Sequence, residues 1–269
     1  MAAIDVGTVS VSGRTIAYRC AGDGPPLLLL HGGCSDSREW RAQLDGLSDE
    51  FTVIAWDAPG CGGSTDPTDP FPLADYADAV AGFIRALGVE RPHVLGLSFG
   101  AGLAIEVYGR HPGLPRSLIL ASAYAGWAGS LPADVVADRL RRALADADRP
   151  PQEWIGSYLS GFFAGPVPQE SIDEVLTIMG DVRPGGIRPM VKAFAEADLR
   201  DVLGRVSVPT LFLYGELDVR APLTVAEDLA ARVPHSELVV LPGVGHVSNI
   251  EAPVTFNAEV RRFLRSVGN

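Results

Sequence analysis

The stretch Pro92-His93-Val94-Leu95-Gly96-Leu97-Ser98-Phe99-Gly100-Ala101-Gly102 decides how the rest of the chain is read. Its first half is a short apolar run, the pattern of a strand buried on both faces. From Ala101 to Arg110 the apolar spacing turns helical. Between the two lies Gly96-Leu97-Ser98-Phe99-Gly100, a G-x-S-x-G pentapeptide. In a chain this rich in glycine, about 0.2 such matches are expected by chance, so position carries the weight. A strand running in and a helix running out make it a sharp turn. The flanking glycines supply the clearance such a turn needs, and Ser98 falls at a helix N-terminus, where N–H groups favour developing negative charge.

Outward from this turn, short apolar runs alternate with helical patterns. Strands are expected at Leu27–Leu30, Thr52–Trp56, His93–Leu97, Leu118–Ala121, Thr210–Tyr214 and Glu237–Leu241. Helices are expected at Leu73–Leu87, Ala101–Arg110, Pro222–Arg232 and Val254–Arg265, with Pro222 in a first turn that needs no proline N–H. Two weaker strands, Thr8–Ser12 and Arg14–Ala21, meet at Ser12-Gly13, a hairpin signal. The alternation predicts an α/β fold, a mostly parallel twisted sheet with helices on both faces. From about Gly126 to Arg200 the rhythm breaks. That stretch is helical and proline-punctuated, and it is expected to be an insertion over the sheet edge. Residues 1–125 and 201–269 would then form the core, and 126–200 a helical cap.

Composition narrows the function classes. Lys and Arg total 22 and Asp and Glu 33, for a formal charge of −11. That acidity, with no basic cluster interleaved with aromatics, argues against nucleic acid and against anionic membrane surfaces. Three scattered cysteines, Cys20, Cys34 and Cys61, form no disulfide framework. No leader or membrane-spanning run is evident, so a cytoplasmic protein is expected, a monomer or homodimer. No HExxH and no phosphate-binding loop is present, and neither metal nor cofactor is expected.

A serine hydroxyl needs a base to become a nucleophile. In a parallel sheet the chemistry gathers beyond the carboxyl ends of the strands. His93 begins the strand that ends at Ser98, roughly 16 Å away at about 3.3 Å per residue. His235 also precedes a strand, and His111 falls at a helix end before Pro112, a capping position. His246, in Pro242-Gly243-Val244-Gly245-His246 after the last strand, is the expected base, and His31 a loop-ordering residue. For the orienting carboxylate, spacing admits Asp218 and Glu216, with Asp57 as a loop-fixing alternative.

These residues together resemble the α/β-hydrolase superfamily over nearly the whole chain. The resemblance rests on five motifs: His31-Gly32-Gly33; Asp57-Ala58-Pro59-Gly60-Cys61-Gly62-Gly63-Ser64; the Gly96–Gly100 elbow; Gly215-Glu216-Leu217-Asp218; and Gly245-His246. It implies Ser98 as nucleophile, Asp218 as orienter in preference to Glu216, and His246 as base, in that family's chain order. It implies an oxyanion hole from the backbone N–H groups of Gly33 and Phe99. Cys34 departs from the Gly or Pro of many relatives, and Cys61 from a common His.

The resemblance makes 126–200 a lid, with Trp127, Trp154, Tyr158, Phe162, Phe163, Met179, Met190 and Phe194 as pocket or packing residues and Cys34 beside them. Such walls imply a small apolar or ring-bearing substrate. Arg183 and Arg188 are candidates for a substrate carboxylate but read more simply as surface charges. The expected activity is hydrolysis of a carboxylic ester or lactone. Carbon–carbon bond hydrolysis of ring-cleavage-type diketones stays open, although Leu97 stands where those enzymes often carry Asn. A non-hydrolytic biosynthetic or ligand-binding role on the same scaffold also stays open. Asp at the elbow, as in epoxide hydrolases and haloalkane dehalogenases, is absent.

Overall fold

The computed structural model describes residues 3–268. Eight strands, β1 (Asp5–Val11), β2 (Arg14–Ala21), β3 (Pro26–Leu30), β4 (Thr52–Trp56), β5 (His93–Leu97), β6 (Ser117–Ala121), β7 (Thr210–Gly215) and β8 (Glu237–Leu241), form one sheet. Their order is β1-β2-β4-β3-β5-β6-β7-β8. The first three in that order pair antiparallel and the rest parallel. The helices are α1 (Arg41–Leu47), α2 (Leu73–Ala86), α3 (Phe99–Arg110), α4 (Ala133–Asp146), α5 (Ile155–Leu159) and α6 (Gln169–Gly180). They continue with α7 (Pro184–Glu196), α8 (Arg200–Leu203), α9 (Leu223–Arg232), α10 (Ser248–Glu251) and α11 (Pro253–Val267).

The near-continuous apolar strands divide residue by residue between two cores, because successive side chains point to opposite faces. Leu28, Leu30, Leu118, Leu120, Phe212 and Tyr214 face one core, with Tyr76 and Phe83 of α2 and Leu103 of α3. Leu27, Leu29, Ile119, Ala121, Leu211 and Leu213 face the other, with Trp40, Leu44 of α1 and Phe256 and Val260 of α11. Trp40 is fully buried and its ring lies 6.4 Å from that of Phe256.

Register brings the chemistry to one edge. Leu30 pairs with Gly96, Leu97 with Ala121, Ala121 with Leu213, and Gly215 with Leu241. The carboxyl ends of β3, β5, β6, β7 and β8 therefore line up, and the loops leaving them share one rim. Between β6 and β7 the chain runs through α4 to α8 without a strand, and α4 to α7 lie over that rim.

Several boundaries differ from those expected. The first hairpin turns at Ser12-Gly13, both at positive φ (50° and 78°), but its first strand starts earlier, at Asp5, and pairs along its whole length with β2. Helix α3 starts at Phe99 instead of Ala101, because the elbow leads into it with no linker. Pro222 sits just ahead of α9 with an extended ψ of 155°. Helix α1 lies in a stretch too short to show a helical period by itself.

Truncating Trp40 to Ala removes the largest wedge between α1 and α11. Urea unfolding of that variant is expected to show a loss of about 3–5 kcal/mol; a loss under 1 kcal/mol would contradict this account of the second core.

Candidate active site

Ser98 stands at φ 53°, ψ −108°, a backbone geometry that L-residues rarely adopt. Two neighbours make it attainable. A Cβ on Gly96 would run into the Gly100 carbonyl, and one on Gly100 into the Leu30 carbonyl. The elbow therefore closes only with hydrogen at both positions. Ser98 N–H donates to Ala121 O at 2.8 Å, and Ser98 O accepts from Ala101 and Gly102 N–H, both at 3.1 Å. The first N–H groups of α3, beginning with Phe99, have no acceptor within the helix. Gly33 lies against Phe99: a Cβ built on it would sit 4.0 Å from the Phe99 Cβ.

The loop carrying Gly33 is built by buried polar groups. His31 Nε2 accepts from Ala58 N–H at 3.0 Å, which assigns the proton to Nδ1, and Nδ1 donates to Gly32 O at 2.7 Å. Asp57 accepts from Ser37 N–H and Gly63 N–H, each at 2.8 Å. Both residues order loops, and neither meets His246. Glu39, which the sequence reading passed over, accepts Gly32 N–H at 2.8 Å from beneath the loop. Burial pushes the Glu39 carboxyl above its ordinary range, against the neighbouring His31 ring and bonds from Ser35 and Gly32.

At the far side of the same rim, His246 Nδ1 lies 2.9 and 3.0 Å from the two Asp218 oxygens, with both side chains buried. Asp218 Oδ1 also accepts Arg220 N–H at 2.9 Å and Ala221 N–H at 2.8 Å. Burial alone would raise the Asp218 carboxyl. His246 and its hydrogen bond, with bonds from Ala221 and Ser122, outweigh it and hold the carboxyl below its ordinary value. For His246 burial dominates and lowers the ring below its ordinary value, although Asp218 pulls the other way. The ring is therefore neutral at pH 7, protonated on Nδ1 toward Asp218, with Nε2 as the free acceptor. Glu216 lies elsewhere: it is exposed and accepts Gly243 N–H at 2.8 Å.

The His246 loop is clamped by the turn after α5 and by α10. Phe162 O accepts from His246 and Val247 N–H at 2.8 and 3.1 Å, and the Phe162 ring stacks on the imidazole at 6.3 Å. Glu251 accepts Gly245 N–H on one oxygen and Ala164 and Gly165 N–H on the other.

Ser98, Gly33, Phe99 and His246 line one cavity of about 360 Å³. Of the expected wall residues, Cys34, Trp127, Tyr158, Phe162, Met179, Met190 and Phe194 border it. Trp154 and Phe163 do not. Trp154 turns into the second core, 5.3 Å from the Tyr158 ring, and Phe163 packs partly buried against the same core. Their spacing in short, irregular segments gave no facing to read. Arg183 and Arg188 also stay outside. Arg183 ties Asp66, Gly62 O and Ser64 O, and Arg188 pairs with Asp148. Cys34 stands at φ 59°, and burial pushes its thiol up to about 11, so it is a neutral wall group. His93 bonds Ser117 within the sheet, and His111 is the C-cap of α3, its N–H donating to Val107 O and its side chain reaching Asp78.

A serine on a strained strand-to-helix elbow and a buried Asp–His pair, set on the carboxyl rim of a doubly covered parallel sheet, define a hydrolase class rather than a nucleotide-binding one. A family model for the alpha/beta hydrolase fold matches residues 25–253, and the chain belongs to that family. The AB hydrolase superfamily protein YisY of Bacillus subtilis (strain 168) is 30% identical over 94% of this chain and 96% of that protein. A thermophilic esterase from Thermogutta terrifontis superposes with a TM-score of 0.85 at 27% identity, covering 98% of this chain and 100% of that one. The enol-lactonase from Burkholderia xenovorans LB400 also reaches a TM-score of 0.85, with 96% and 100% covered, but at 22% identity that likeness concerns the fold alone.

Proton NMR of the imidazole is expected to show His246 titrating below pH 6.5. Asp218→Asn should move the midpoint lower still, because the carboxylate favours the charged ring. A midpoint above 6.5, or a rise in Asp218→Asn, would contradict the pairing.

Proposed function

We propose that this hydrolase cleaves a carboxylic ester or lactone through an acyl-enzyme on Ser98. The observation that carries the proposal is the shared cavity: the elbow serine, the neutral imidazole and the Gly33–Phe99 pair all open onto it. His246 Nε2 takes the proton of Ser98 Oγ as Oγ bonds to the substrate carbonyl carbon. The N–H groups of Gly33 and Phe99 receive the oxyanion, each such donor contributing about 3 kcal/mol to the transition state. The C–O bond to the leaving oxygen breaks, and His246 passes that oxygen its proton. Water then adds to the acyl carbon, giving its proton to His246, and the acyl–Oγ bond breaks as His246 returns that proton to Ser98 Oγ. The net change is ester plus water to acid plus alcohol, or lactone plus water to hydroxy acid, with no redox partner.

Asp218 holds the ring so that Nε2 faces the nucleophile, and residues 126–200 act as the cap that walls the cavity. The likeness to the Thermogutta terrifontis esterase supports this choice among hydrolytic chemistries. Leu97, immediately before the nucleophile, favours it over carbon–carbon bond cleavage.

The test is steady-state kinetics on a panel of short aryl esters and five- and six-membered lactones. Asp218→Asn is expected to lose about 10³–10⁴ in kcat by favouring the wrong tautomer, while Glu216→Gln stays within about threefold because its side chain meets only a loop N–H. The reverse pattern would move the orienting role to Glu216, and no turnover on any ester or lactone would reject the proposal.

A further inference from the structure

Three arginines border the cavity, and two of them, free of acid partners among the described residues, have no part in the proton transfers above. Arg139 of α4 and Arg220, two residues beyond Asp218, both border it. Arg139 donates to Tyr124 OH and to Arg220 O, each at 3.1 Å, and its guanidinium lies 5.8 and 5.9 Å from the Tyr124 and Trp127 ring centres. The Arg220 guanidinium lies 5.2 Å from both the Tyr158 and the Phe162 ring centres. Neither arginine is ion-paired among the described residues. The nearby charges are otherwise engaged. Arg142 pairs with Asp138, and Asp146 accepts from Tyr158 OH at 3.1 Å and pairs with Arg149 at 3.5 Å.

Half-buried guanidinium groups with no acid partner are costly in a low-dielectric cavity. Arg139 is held by hydrogen bonds and both guanidinium groups lie over aromatic rings, contacts that favour a set orientation of their donors. Paired carboxylate oxygens match that donor fork and leave the apolar wall of Val175, Ile178, Met179 and Met190 for the rest of a small molecule.

We propose that Arg139 and Arg220 form a carboxylate subsite, so that the ester or lactone cleaved at Ser98 carries a free carboxylate. This rests on the hydrolase reading above and names its substrate class. Arg220 is the principal contact, since no hydrogen bond within the protein occupies its guanidinium among the described residues. Arg139 supplies the second charge and fixes the Arg220 backbone. The subsite adjoins the base through Phe162, which touches both Arg220 and His246. A short dicarboxylic half-ester, or a lactone bearing an acid, spans a cavity of this size.

The experiment compares the full-length protein with Arg139→Gln, Arg220→Gln and Arg220→Lys. Two substrate pairs place the carboxylate on either side of the scissile bond: p-nitrophenyl hemisuccinate against p-nitrophenyl butyrate, and acetoxybenzoate against phenyl acetate. In at least one pair the wild type is expected to favour the acid ester by about tenfold in kcat/KM. Each Gln variant should lose at least about tenfold more on the acid ester than on its neutral partner, and Arg220→Lys should recover part of that discrimination. Calorimetry of p-nitrophenyl hemisuccinate in a Ser98→Ala background reads the subsite without turnover, and Arg220→Gln should abolish the binding seen there. Neutral esters turned over with no arginine-dependent discrimination, and binding indifferent to Arg220, would overturn the subsite and leave the hydrolase reading intact. No turnover of any ester, with binding still dependent on Arg220, would overturn the hydrolase reading instead.

Discussion

The structure depends first on one backbone constraint, the left-handed turn at Ser98. A residue at φ 53° is strained by about 1–3 kcal/mol and holds only where its surroundings leave no other course. Here they do. The fully buried β5 and the buried body of α3 fix the chain on either side, and Gly96 and Gly100 meet backbone carbonyls that admit no Cβ. The same close approach ties α3 to the end of β3, because the atom facing Gly100 is the Leu30 carbonyl. The elbow, the Gly33 loop and the sheet register are thus one arrangement.

The second half of the site is set against the first by burial. Asp218 and His246 come from loops after β7 and β8, and Gly215 pairs with Leu241 across those strands. Sequestered from water, the carboxylate stays ionised because His246, Ala221 and Ser122 answer it, and the imidazole stays neutral because burial disfavours its charge. The turn after α5 and helix α10 contribute directly. Phe162 and Glu251 hold the His246 loop through backbone N–H groups, so the wall of the cavity and the position of His246 are coupled. Glu39 does the equivalent for the Gly33 loop.

Much of this was legible in the chain. The inner parallel strands show as short apolar runs because both faces are covered; Ser98 and Asp218 each follow such a run, and His246 follows the partly exposed edge strand β8. Histidines could be sorted by which end of a strand they occupy. The wall of the cavity was less legible. Trp154 and Phe163 have the composition of pocket residues but face the second core, a choice made by tertiary packing of short helices. Arg183 and Arg188 were the visible arginines of the cap, yet both bind acids or carbonyls at its edge. Arg139 and Arg220 gave no signal. One lies among several arginines on an amphipathic helix and the other beside a motif aspartate, and only the fold shows that both border the cavity without an acid partner among the described residues. Glu39 carries no signal in the sequence, and only the fold shows it buried beneath the Gly33 loop.

The central claim is that the elbow and the buried Asp–His pair activate one serine. Intact-mass spectrometry after treatment with a fluorophosphonate, with peptide mapping of the adduct, tests it most directly. The account predicts a single adduct on Ser98 of the wild-type protein and none on Ser98→Ala. An unmodified wild-type protein, or an adduct that persists in Ser98→Ala, would contradict it.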